Sequence, residues 1–385
     1  MNEAVITGIG ETPVGKLPGY EATQLQTWAA HEAILDAGLQ LSDIDGLINQ
    51  DPYINPQSMF ALNLTEYLGI RPTWVQTCDV GGSVTLMTMI QTAIWAVSQG
   101  HCRHCLVLHG ENTLTARPAN SKGVVQVVHQ GGDSFKEPYG VQGQVIAYSL
   151  VAQRYLHETG STERDFGAVA VQMRKNALRN PNRQTRDPMS MDDYLASPMI
   201  VEPLRKADCC LVSDGAVAFV VSARSDVRRH DRPAVQVRSF AMQASHASIV
   251  QQPDLSDLVL PGVAKRAFAR ANLSVDDMDL FFVHDAFTVA VLLQIEGLGV
   301  CEPGKAGALF ARGDADIHGR FPVNPHGGLL SQAHFGGGAH PVEAVRQLRG
   351  EAGDRQVPNA RRAMWCGNGS VLAVFGNMIL ERMDA

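Results

Sequence analysis

The sequence predicts an α/β protein in which one helix–strand unit is used twice. Three observations predict it: a repeated stretch, amphipathic helices alternating with short apolar strands, and a long segment that only the first copy carries. The repeat lays Ala37-Gly38-Leu39-Gln40-Leu41-Ser42-Asp43-Ile44-Asp45-Gly46-Leu47-Ile48 on Ala271-Asn272-Leu273-Ser274-Val275-Asp276-Asp277-Met278-Asp279-Leu280-Phe281-Phe282. Leu39 meets Leu273, Asp43 meets Asp277 and Asp45 meets Asp279.

Each copy has an Ala-rich helix before this stretch, Trp28 to Ala37 and Val263 to Ala271, and an apolar strand after it. A Gly-rich turn then opens a helix at Gly81-Gly82-Ser83 and again at Gly336-Gly337-Gly338. These helices are expected to end at Gly100 and Gly350, with short strands following at Cys105 to Leu108 and Ala363 to Cys366. Residues from about 113 to 205 have no counterpart in the second copy. They contain helix patterns near Val141 to Thr159 and Glu163 to Leu178, and a loop at Asn180-Pro181-Asn182-Arg183. The expected division is a first half, 1–230, carrying this loop domain, and a second half, 231–385. Insertions on a rigid scaffold often set substrate specificity.

The chain of 385 residues is too long for one ordinary core, and its 45% hydrophobic content is that of a globular protein. A net charge of -7 argues against broad nucleic-acid binding. No apolar run reaches the roughly 18–20 residues of a membrane span, and Met1-Asn2-Glu3-Ala4-Val5 does not open a signal peptide. The cytoplasm is the expected compartment, and seven scattered cysteines fit reduced thiols there. Cys102 and Cys105, with His101 and His104, form half of a zinc pattern. No second Cys-x-x-Cys completes it, so no metal site is expected, and Leu106-Val107-Leu108 reads as a buried strand.

Four blocks carry the chemistry. They are Ser197-Pro198-Met199-Ile200 with Pro203-Leu204 and Asp208-Cys209-Cys210-Leu211-Val212-Ser213-Asp214-Gly215-Ala216; His284-Asp285-Ala286-Phe287; Asn324-Pro325-His326-Gly327-Gly328; and His334-Phe335-Gly336. In this order they resemble the thiolase superfamily, and within it the sterol-carrier-protein type. The resemblance implies a duplicated five-layered αβαβα thiolase fold with an inserted loop domain. It also implies an acyl-CoA substrate, so that coenzyme A arrives as part of the substrate and no cofactor is bound permanently.

A thiolase of the cysteine type uses a cysteine at a helix N-terminus as acyl carrier, a histidine that activates it, a second cysteine that moves a proton, and oxyanion holes. Here the helix position reads Ser83, a poor nucleophile without a base, and Cys78 lies shortly before it. Cys366, in Cys366-Gly367-Asn368-Gly369, falls near the second cysteine. It reads equally as a proton relay or as a small buried hydrophobe. His284 and His334 stand at motif positions and can donate to an enolate oxygen. His326 and His340 are further pocket candidates. The resemblance puts Gly82, Asn324, Gly336 and Gly369 around the oxyanion loops.

Serine-type members resemble aldolases that remove steroid side chains and work with a small OB-fold partner carrying zinc. The tyrosine-bearing loop of those proteins reads Gly336-Gly337-Gly338-Ala339-His340 here, which leaves a histidine or Cys366 as base. Retro-aldol cleavage through a thioester enolate is the leading expectation. An acyltransferase with Cys78 or Ser83 as nucleophile, and a non-catalytic acyl-CoA or lipid-binding subunit, are its rivals. Arg174, Lys175, Arg179 and Arg183 are the expected contacts for coenzyme A phosphates. The resemblance further implies a homodimer paired through the strand from Trp74 to Cys78.

Overall fold

A computed structural model describes residues 3–116, 133–141, 143–228, 231–255 and 258–383. Part of the expected loop domain, 117–132, and the expected boundary at residue 230 lie outside the described residues. The first half runs β1 (Ala4–Glu11), α1 (Ala22–Asp36), β2 (Gly46–Asn49), α2 (Phe60–Leu68), β3 (Trp74–Thr77), α3 (Gly82–Ser98) and β4 (His104–Asn112). Then come α4 (Thr113–Ala116), α5 (Asp133–Lys136), α6 (Gln144–Thr159), α7 (Glu163–Leu178), α8 (Met191–Ala196) and the hairpin β5 (Met199–Val201) and β6 (Leu204–Arg205). The chain returns to the sheet with β7 (Asp214–Ala223). The second half is β8 (Val235–Ala244), α9 (Leu260–Ala271), β9 (Leu280–Val283), α10 (Thr288–Gly297), α11 (Ala306–Ala311), α12 (Ala339–Arg349), β10 (Arg362–Gly369) and β11 (Val374–Arg382).

The large sheet is nine-stranded, in the order β3-β2-β4-β7-β1-β8-β11-β10-β9. The two halves meet where β1 touches β8 through the single pair Ile6 and Val235. On either side of that junction the orders β1-β7-β4-β2 and β8-β11-β10-β9 are copies of each other. The period-two alternation of each strand then builds the layers. Leu106, Leu108, Ala218 and Val220 turn outward onto α1 and α2. Val107, Val217, Phe219, Phe282 and Trp365 turn inward onto α3 and α12, which lie between the two half-sheets. Phe281, Val283, Met364 and Ile379 face α9, α10 and the inserted α6 and α7. The result is helix, sheet, helix, sheet, helix.

The repeated aspartates do the same work in both halves. The Asp45 carboxylate accepts the backbone N–H groups of Arg103 and His104 at 2.8–2.9 Å, and that of Asp279 accepts Arg361 and Arg362 at 2.7 and 2.8 Å. Each ties the start of β2 or β9 to the start of its neighbour. Asp43 and Asp277 close the preceding turn on the N–H groups of Gln40 and Ser274.

The expected strands were too short. β4 continues past Leu108 through buried His109, Gly110, Glu111 and Asn112, and β10 continues past Cys366 through Gly367, Asn368 and Gly369. Polar and glycine residues do not read as strand, yet here they bring each strand up to the N-terminus of α3. Cys102 and Cys105 are buried in the central layer. Among the described residues no group of three or more His, Cys, Asp or Glu is arranged to hold a metal, and no helix is long and apolar enough to cross a membrane.

Candidate active site

Three segments converge: the N-terminus of α3, the end of β9, and the loop before α12. α3 starts at Gly82, whose φ is +51°. A Cβ there would collide with the Asn368 carbonyl oxygen, so only glycine lets α3 approach β10. Ser83 follows, buried, and its hydroxyl donates to that same carbonyl at 3.2 Å. No histidine is hydrogen-bonded to it among the described residues.

β9 delivers His284. Both amide atoms of Asn324 clasp Val283, accepting its N–H and donating to its carbonyl at 2.9 Å. Gln294 does the same for the His284 main chain at 3.0 and 2.8 Å. Asn324 therefore fixes the end of the strand that carries His284, with its Oδ1 and one of its two amide N–H groups. The His284 ring is buried, with Nδ1 unpartnered among the described residues. Gly337 fills the space between this ring and Ser83. A Cβ there would lie 2.9 Å from the Ser83 Cβ and 3.4 Å from the His284 Nδ1.

His334 faces His284 edge to face, ring centroids 6.3 Å apart at 81°. Its main chain is pinned by Ser213, and its Nδ1 lies 3.3 Å from the Cys210 Sγ. Burial lowers the pKa of both rings, and each is disfavoured further by a charge on a neighbouring histidine; Asp285 partly opposes this at His334. Both are neutral at pH 7. Behind them the buried Asp285 accepts the N–H groups of Leu329 and Leu330 at 2.8 and 3.2 Å. His340 lies 3.3 Å from Asp285 through Nε2 and 2.9 Å from His326 through Nδ1, so these two histidines form a buried chain behind the pair.

Other expected residues fall elsewhere. The Cys366 thiol packs in the outer apolar cluster, and burial pushes it far up. Its neighbour Gly367 is the one that faces Ser83: a Cβ there would stand 2.7 Å from the Ser83 hydroxyl. Gly369 likewise packs on the Gly81 carbonyl, and Gly336 on His109, whose ring holds the Phe335 carbonyl at 2.8 Å. Cys78 directly follows β3, with its thiol raised by burial and by Asp79, the reverse of what a nucleophile needs. The four basic residues are engaged within the protein. Lys175 and Arg179 pair with Asp316, Arg174 donates to the Asp187 carbonyl and to Ser331, and Arg183 donates to the Asn180 carbonyl.

Residues 241–382 match the family described as thiolase C-terminal domain-like. The chain is 32% identical over 366 residues to the 17-hydroxy-3-oxo-4-pregnene-20-carboxyl-CoA lyase of Mycobacterium tuberculosis, covering 90% of this chain and 92% of that protein. It belongs to the thiolase superfamily. A second relative of this thiolase-superfamily chain is the steroid side-chain-cleaving aldolase of Thermomonospora curvata, 32% identical over 358 residues and covering 90% of each. The solved Ltp2-ChsH2(DUF35) aldolase superposes with a TM-score of 0.88 at 29% identity, over 99% of this chain and 98% of that one.

Cys210, Asp285, Gln294 and Gly367 were not singled out as site residues in the sequence. Cys210 stands in a recognised block, but nothing in its spacing announces a partner 124 residues away.

Proposed function

We propose that this thiolase-superfamily enzyme cleaves the Cα–Cβ bond of a β-hydroxyacyl-CoA by a retro-aldol reaction. A base removes the β-hydroxyl proton, the Cα–Cβ electron pair passes into the thioester enolate, and a proton returns to Cα. The products are a carbonyl compound and a shortened acyl-CoA, and no acyl-enzyme is needed. One observation carries the reading: Ser83 spends its hydroxyl on a main-chain carbonyl, while two imidazoles kept neutral by burial face each other beside it. A neutral imidazole can both accept the hydroxyl proton and donate to the enolate.

The names of the relatives support a steroid-type acyl-CoA substrate, and the solved aldolase supports a DUF35-type partner protein. Work in the cytoplasm is supported by seven unpaired cysteines. With 17-hydroxy-3-oxo-4-pregnene-20-carboxyl-CoA as probe, Ser83→Ala should keep most activity. His284→Gln and His334→Gln should each lose about 10²-fold or more. Intact-mass analysis after mixing with the thioester should show no acyl adduct; an adduct on Ser83, Cys78 or Cys210 would place the chain among acyltransferases.

A further inference from the structure

Cys210 is held where two motifs meet. Its N–H donates to the Ala286 carbonyl at 2.9 Å, the next N–H, of Leu211, donates to Leu329 at 3.0 Å, and Cys209 bridges to Phe287. The segment 209–211 is thus fastened to the loop after His284 on one side and to the turn before His334 on the other. The thiol that results lies 3.3 Å from the His334 Nδ1. We infer that Cys210 is a positioning residue of this site, its S–H holding the His334 ring in the tautomer that presents N–H at Nε2.

The two groups leave few arrangements. Burial pushes the Cys210 thiol well up, with Cys209 and Asp285 adding to it, so the sulfur keeps its proton. Burial lowers His334, so the ring carries one proton and one lone pair. A protonated thiol facing Nδ1 is satisfied when the lone pair is there, which sends the ring proton to Nε2. Asp285 and His340 also act on His334, the first favouring its charged form and the second opposing it, and the Leu211 main chain favours the charged form as a hydrogen-bond acceptor. His284 has no donor on its Nδ1 among the described residues. The roles then divide: His334 donates to the thioester enolate, and His284 takes the β-hydroxyl proton. This division rests on the retro-aldol reading; the tautomer does not.

The test is nitrogen-15 NMR of histidine-labelled full-length protein, with the His334 signals assigned by their loss in His334→Gln. Wild type and Cys210→Ser should show His334 protonated at Nε2, and Cys210→Ala should show the tautomers mixed or reversed. A wild-type ring protonated at Nδ1, or a tautomer unmoved in Cys210→Ala, would overturn the inference. Turnover of the steroid thioester should fall in kcat by at least about 10-fold in Cys210→Ala, with KM unchanged, and return in Cys210→Ser. If His284→Gln and His334→Gln both turn over normally, the retro-aldol reading fails while the tautomer measurement stands on its own.

Discussion

His284 and His334 owe their neutral state to the exclusion of water. Burial lowers both pKa values from 6.5, the first by a wide margin, because a charged ring would lose its hydration. The sign follows directly. A base that must be neutral stays competent as pH falls until its own lowered pKa is reached. The acid limb of kcat/KM should therefore have its midpoint below pH 6.5, with a flat profile from there to pH 8; a midpoint above 6.5 would contradict the assignment. Both could be singled out in the sequence because each stands in a short motif, after a strand or in a glycine loop. At Cys366 the sequence left a proton relay and a buried hydrophobe both open, and the alternation of side chains along the strand favours the second: the face toward Ser83 belongs to Gly367, and Cys366 turns to the outer core. Cys210 was illegible because its meaning is a tertiary contact with His334.

The aspartate elbows show what the repeat encodes. The Leu-x-x-x-Asp-x-Asp spacing was visible because two copies need the same two turns, and each second aspartate takes two backbone N–H groups that start a parallel strand pair. Asp279→Ala should remove about 1–2 kcal/mol of stability in urea unfolding, the scale of two backbone donors losing a charged acceptor at a partly solvated site. The far ends of β4 and β10 were not visible, since their polar and glycine residues are placed for the site and not for strand propensity. Glu111, near the end of β4, is an example. Burial raises its carboxyl to about 7, one oxygen has no partner among the described residues, and the other accepts the Tyr53 N–H at 2.9 Å. With the folded pKa above the unfolded one, the native state binds more protons between them. Its stabilising contribution is complete below about pH 4.5 and is lost as pH rises through 7, by up to about 3 kcal/mol. Glu111→Gln should flatten that part of the stability profile. A wild-type minus Glu111→Gln difference in Tm that does not change between pH 5 and pH 8.5 would count against it.

A nine-stranded sheet has two ends, and this chain treats them differently. At the β9 end the segment around Val323 lies alongside: the Phe281 N–H donates to the Pro322 carbonyl at 2.8 Å, and the Asn324 N–H donates to the Phe281 carbonyl at 2.9 Å. That edge is closed by the chain itself. At the other end β3 pairs only with β2 among the described strands. The N–H groups of Trp74 and Cys78 point back toward β2 and its flank, so by strand alternation those of Val75 and Thr77 point outward. In α2, which packs on β3, Leu62 and Tyr67 are exposed, as are Met59 just before that helix and Val80 just after the strand. Open edges next to apolar surface aggregate or pair, and a two-fold pairing of β3 with the same strand of a second copy would close this one. The expected outcome is a dimer in sedimentation at micromolar concentration. Val75→Pro removes one outward N–H without touching a bond to β2, so it should give monomer with unchanged far-UV circular dichroism. A monomeric wild type, or a dimer as tight in Val75→Pro as before, would place the contact elsewhere. The edge also bears on catalysis, because β3 leads through Asp79 and Gly81 into the N-terminus of α3, where Asp79 accepts the Gly81 N–H at 3.0 Å and the Thr85 hydroxyl at 3.2 Å. Pairing at β3 would steady the turn that presents Ser83 opposite His284, and Val75→Pro should therefore lower kcat as well as dissociate the dimer.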